Sequence, residues 1–165
     1  MKFPETYDGK ADNDVFDEWA YSVVNYAKVM KVQDRTMIRM INNLVLDKVK
    51  GFYMIYVANK ESEWTLDTIF PTMFDYCFPK NFIRMLRKRW DNLIQGKQRV
   101  QDYIHEIKKL AWKFPEINKP AVVLKFWKGL NCGLRQTMVL LGADPEINPL
   151  PIIVEKAQES EWSRQ

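Results

Sequence analysis

Histidine and cysteine are nearly missing from this chain: its 165 residues include one His and two Cys. Cys77 and Cys132 have neither Cys-x-x-Cys spacing nor a neighbouring His. That excludes a zinc-ligand set and a disulfide framework, and makes a reducing compartment the default. A lone His105 excludes a His-x-x-x-His metal pair; set between Ile104 and Glu106 in a helical pattern, it reads as a surface residue. Glycine is also scarce, and Gly96, Gly129, Gly133 and Gly142 stand singly, as stops rather than as a phosphate-cradling loop. No apolar run approaches the roughly 18 residues of a membrane span, and Met1-Lys2-Phe3-Pro4-Glu5 is not a signal peptide. The convergent polar groups that acid–base chemistry requires are missing as well. These absences imply a soluble cytoplasmic protein without metal or cofactor, and not an enzyme.

One acidic run bears comparison with a calcium loop. Asp12-Asn13-Asp14, followed by Asp17-Glu18, lacks the central glycine and the terminal bidentate glutamate of such a loop. Asp14 and Asp17 read instead as a capping-box-like pair at a helix start.

What is present is apolar and aromatic. Hydrophobic residues make up 47%, charged residues 28% and aromatics 13%, a composition that folds rather than staying disordered. Alternating β-branched stretches are rare, so the expected class is all-α. Charge is uneven along the chain. Residues 1–78 carry nine Lys/Arg against twelve Asp/Glu, a net of −3, whereas residues 79–165 carry sixteen against nine, a net of +7.

Helical periodicity organises most of the sequence. Residues 1–12 read as an extended arm with a turn at Tyr7-Asp8-Gly9. Phe16, Trp19, Val23, Ala27 and Met30 predict a helix over 14–31. A second is expected from Asp34, with Met37, Ile41, Leu44, Val45 and Val49 on one face and Gly51 as the break. Phe52 to Val57 is read as a short buried helix. Another spans 65–78, with Thr68 as its cap and Pro71 in its first turn or at a kink. Phe78-Pro79 marks a boundary between lobes 1–78 and 79–165. Beyond it five helices are expected: one carrying Phe82, Ile83, Leu86, Trp90 and Leu93 as an apolar stripe with Gly96 as a left-handed cap; one from Val100 to Pro115; one over 120–129; a short one over 134–141; and a terminal one from Pro149 or Pro151 to Ser163.

The basic run Arg84, Arg87, Lys88, Arg89 and Lys97 has two readings. It is either a phosphate-contacting face or a solvated or inter-subunit face. Trp112, Trp127 and Trp162 are interface candidates, since aromatics beyond the needs of a core often anchor contacts.

The most specific string runs from Leu93 to Leu130. It holds Gln95-Gly96, Val100 and Tyr103, then Phe126, Gly129 and Leu130. Together with Tyr7-Asp8-Gly9, Trp19, Trp64, Phe70, Phe74 and Phe78-Pro79, this order resembles the capsid region of a gypsy-type LTR-retrotransposon Gag polyprotein. Gln95-Gly96 to Tyr103 is similar to a shortened retroviral major homology region, with Arg99 near the place of a retroviral glutamate. The resemblance implies two helical lobes that self-assemble, through hexamers, pentamers or dimers, into a cytoplasmic virus-like particle around the element's RNA. It assigns RNA binding mainly to Gag regions outside this sequence, because no Cys-Cys-His-Cys knuckle is present. The alternative it carries is a domesticated module for peptide binding or RNA transport, as in the neuronal Arc protein, with Phe52 to Val57 lining an apolar groove. A third possibility is a non-assembling nucleic-acid binder using the basic run.

Overall fold

The computed structural model describes residues 1–164, and they form an all-α chain divided into two compact units, Met1–Phe82 and Ile83–Gln165.

In the first unit, α1 (Asn13–Val29) buries Phe16, Trp19, Val23 and Ala27. Its cap is Asp12 rather than Asp14: Asp12 Oδ1 accepts from the Asp14 and Val15 amides at 3.0 and 3.2 Å. The carboxylate must sit before the first turn to reach those donors, which leaves Asp14 inside the helix.

The second helix is shorter than its apolar face predicts. The α-helical part, α2 (Asp34–Ile41), ends in a single 3-10 turn at Asn42–Leu44, and Val45 is extended. The arm is the cause. Tyr7 N–H donates to the Leu44 carbonyl and Leu46 N–H donates to the Tyr7 carbonyl, both at 2.9 Å, in an isolated parallel bridge of Tyr7 with Val45. The Tyr7 ring stacks on Trp19 at 5.1 Å, and Trp19 Nε1 donates to the Glu5 carbonyl at 2.9 Å. The expected arm is therefore extended and docked, and it interrupts the helix it docks on.

Gly51 does not break the chain. It lies inside α3 (Asp47–Phe52), which runs on into a π-helical turn, Tyr53–Val57. α4 (Leu66–Cys77) begins with Thr65 and Thr68 capping each other reciprocally, so Thr65 is the cap and Thr68 its partner. Pro71 is accommodated inside that helix. Phe78 stacks on Phe74 with centroids 4.2 Å apart, and Phe82 meets Phe78 edge-on at 4.8 Å.

The second unit contains, among the described residues, α5 (Phe82–Asn92) from its second residue onward, then α6 (Val100–Trp112), α7 (Lys119–Gly129), α8 (Cys132–Leu140) and α9 (Leu150–Ser163). Its core gathers Val100, Tyr103, Ile107, Phe126, Leu130, Met138, Ile153 and Ala157, each at most 3% exposed.

Candidate functional site

The motif from Leu93 to Leu130 comes together around one buried glutamine. α5 stops at Asn92, so Gly96 is not its cap. Gly96 instead sits in a turn closed by Gln98 N–H donating to the Gln95 carbonyl at 3.0 Å, with φ of +56°, a conformation that glycine adopts freely.

Gln95 is 3% exposed, and its polar groups are matched. Its N–H donates to the Gly129 carbonyl at 2.9 Å, Nε2 donates to the Gln98 carbonyl at 3.1 Å, and Oε1 accepts from the Asn131 N–H at 3.1 Å. The residue thus grips the chain on both sides of Leu130, which is buried. Asn131 returns the contact, its Nδ2 donating to the Gly96 carbonyl at 3.0 Å. A buried amide with its donors and acceptor paired fixes one arrangement of the surrounding backbone, because any slip leaves an unpaired group.

Tyr103 ties α6 to α7. Its ring stacks on Phe126 at 5.3 Å, and its hydroxyl donates toward the Lys125 and Phe126 carbonyls at 3.1 and 3.2 Å. Burial pushes the phenol up to about 12. Gly129 is where this side chain passes: a Cβ there would lie 1.9 Å from the Tyr103 hydroxyl oxygen. Val100, fully buried, starts α6, and its N–H donates to Glu161 Oε2 on α9 at 2.8 Å. All seven residues of the motif therefore belong to one folding element. Gln98, inside the string but not among its seven motif residues, and Asn131 and Glu161, outside it, complete the element. Asn131 carries a recognisable signal, an Asn before a helix, but its side chain turns to Gly96 instead of capping α8.

The element holds no reactive arrangement. Among the described residues no group of three or more His, Cys, Asp or Glu side chains could hold a metal ion, and no helix is long and apolar enough to cross a membrane. His105 is exposed, Cys77 is buried with its thiol pushed up by burial, and Cys132 is exposed.

No protein-family model matches the chain, and no curated protein does. One solved structure is similar. It is the dARC1 capsid domain dimer in its orthorhombic form, with a TM-score of 0.40 and 13% identity over 96% of this chain and 95% of that one. A likeness of that size fixes neither family nor function.

The residues of the basic run have different surroundings. Arg87 forms an ion pair with Glu116 and lies 4.6 Å from the centre of the Phe114 ring. Hydrogen bonding from its own backbone, then from Arg87, holds the Glu116 carboxyl below the usual range. Arg89 is 3.7 Å from Glu106. Lys88 and Arg89 border one depression beside Leu93 and Ile94, whereas Lys97 borders another with Arg99 and Arg164. Arg84 is exposed on α5.

The three tryptophans occupy different environments. Trp112 and Trp162 are 74% and 77% exposed, while Trp127 is half-buried against the core of its unit. The segment from Phe52 to Val57 is split as well. Phe52, Tyr53 and Val57 fill the core of the first unit, whereas Met54, Ile55 and Tyr56 face outward.

Proposed function

We propose that this chain is a capsid-type structural protein that associates with copies of itself, of the kind that gypsy-type retrotransposons build into particles around their RNA. The Gln95 clamp carries this reading. The residues that resemble a major homology region are those that fasten the turn before α6 to the end of α7, and α6 to α7, with hydrogen-bonding groups spent on backbone rather than on chemistry. A rigid platform with no reactive group suits a building block. Large apolar side chains stand outward on it, Leu140 at 87%, Ile147 at 78%, Trp162 at 77% and Trp112 at 74% exposed, and such side chains gain most by being covered in contacts. Repeated modest contacts suffice, since a closed assembly strengthens each by multivalency.

Light scattering and negative-stain electron microscopy test the reading, across protein concentration and salt. The expected outcome is a concentration-dependent shift from monomer or dimer to large particles. Monomer alone under every condition would overturn it.

A further inference from the structure

The second unit has a groove of about 950 Å³ between the C-terminal end of α6, the start of α7 and the loop leading into α9. That volume lies at the upper end of the roughly 300–1,000 Å³ usual for small-molecule sites. Trp112, Pro120 and Val123 line the helix side, and Ile147 and Leu150 the loop side.

From Asp144 to Pro149 the loop wall offers no backbone donor. Asp144 N–H donates to Asn148 Oδ1 at 2.8 Å, and Glu146 N–H donates to Asp144 Oδ1 at 2.9 Å. The Ile147 and Asn148 N–H groups both donate to the Asp144 carbonyl, at 3.2 and 2.8 Å. Pro145 and Pro149 have no N–H. Across the groove, α6 presents its C-terminal end, where carbonyls rather than N–H groups are left over. In the first turn of α7, Pro120 has no N–H and the Ala121 N–H donates to Asn118 Oδ1 at 2.9 Å. An extended peptide laid there finds no ladder of donors, and its buried carbonyls go unpaired. The part of a ligand that fills this groove is therefore hydrocarbon or aromatic.

The polar end of that ligand is anionic. Lys108, one turn before Trp112 on α6, and Lys119, the first residue of α7, line the helix side and are exposed. Among the described residues neither forms an ion pair. Two helices, α7 and α9, begin at the groove and one, α6, ends there, so the helix ends also favour a negative group. Residues 79–165 carry a net charge of +7, which draws anions toward this half of the chain. Glu146 on the loop-side rim repels a negative head group and so directs it to the lysines.

We infer that this groove binds a small amphiphilic acid, an alkyl or aryl carboxylate. Its apolar body lies between Trp112 and Ile147, and its carboxylate meets Lys108 and Lys119. The site is independent of self-association, since Leu140 and Trp162 lie outside the groove and stay exposed when it is filled.

Isothermal titration calorimetry on the full chain tests the inference with two amphiphiles of equal chain length, decanoate and decyltrimethylammonium. Both are used below their micelle concentrations at about pH 8, where the carboxylate and the lysines are charged. Decanoate is expected to bind saturably to one site, and the ammonium about tenfold or more weakly. Trp112→Ala should weaken decanoate about tenfold. Lys108→Gln/Lys119→Gln should abolish the preference for the acid, an effect that a general loosening of the fold does not produce. All the altered side chains are exposed, so circular dichroism melting should match that of the unaltered chain. Absence of saturable decanoate binding overturns the inference. Equal affinity for the two amphiphiles, or decanoate binding that neither variant changes, overturns it as well.

Discussion

At the scale of single residues, Gly129 shows why one glycine stops a helix for a reason its neighbours do not share. Gly96 and Gly142 have positive φ, but Gly129 does not; its requirement is clearance for the Tyr103 hydroxyl. Tyr103 cannot readily withdraw, because its hydroxyl is bonded to two carbonyls and its ring is stacked on Phe126. Gly129→Ala is expected to destabilise the protein by about 2–3 kcal/mol, the upper part of the usual range of overpacking. Tyr103→Phe alone should cost about 1 kcal/mol for the lost hydrogen bond. Combined, the two should cost less than their sum by about 1 kcal/mol, since removing the hydroxyl oxygen opens the nearest contact from 1.9 to 3.0 Å. Urea denaturation of the four proteins measures this coupling, and strictly additive losses would show that the hydroxyl is not the obstacle. The sequence reads Gly129 correctly as a stop, yet the partner that demands glycine sits on another helix, where spacing along the chain cannot reveal it.

At the scale of elements, periodicity locates the helices and misplaces what depends on contacts distant in sequence. The face of Met37, Ile41, Leu44, Val45 and Val49 is buried throughout, as its spacing predicts, but the helix is not continuous. A bridge to Tyr7 pulls Val45 into an extended conformation, and an apolar residue fits either geometry equally well. The same limit applies to helix starts. Asp12 caps α1 from within reach of local reading, whereas Arg99, at the N-cap of α6, makes no side-chain cap bond. Glu161, 61 residues beyond Val100, substitutes for it by accepting the Val100 N–H. Removing that acceptor by Glu161→Ala is expected to cost about 1–2 kcal/mol, comparable to losing a good N-cap. Glu161→Gln, which keeps an acceptor oxygen but gives up the favourable charge at the helix N-terminus, should cost about 0.3–1 kcal/mol. Amide hydrogen exchange at Val100 is the appropriate probe. Faster exchange in the alanine variant, with the glutamine variant between the two, is the expected order. Unchanged exchange would mean that water replaces the carboxylate without loss.

At the scale of the whole molecule, buried tyrosines link both units to alkaline pH. Tyr53 in the first unit donates to the Ile38 carbonyl at 2.9 Å, and burial, with Glu61 adding to it, pushes its phenol up to about 12. Tyr7, covered by the arm it belongs to, is raised further by burial first and then by Cys77 and Asp8. Tyr103 in the second unit is raised to about 12 by burial. Each of these groups ionises at about 10 when the chain is unfolded. The folded state therefore holds the proton more tightly than the unfolded state does. The stability that goes with it is present in full below pH 10 and is lost as pH rises through the folded values near 12. Two signals should follow. The denaturation midpoint should be steady between pH 8 and 9.5 and fall steeply above 10. Tyrosinate absorbance at 295 nm should show some of the seven tyrosines titrating late, and with a sharp rise that coincides with loss of helical circular dichroism. A smooth titration of every tyrosine near pH 10 with the helices intact would contradict the burial and hydrogen bonding of Tyr7, Tyr53 and Tyr103.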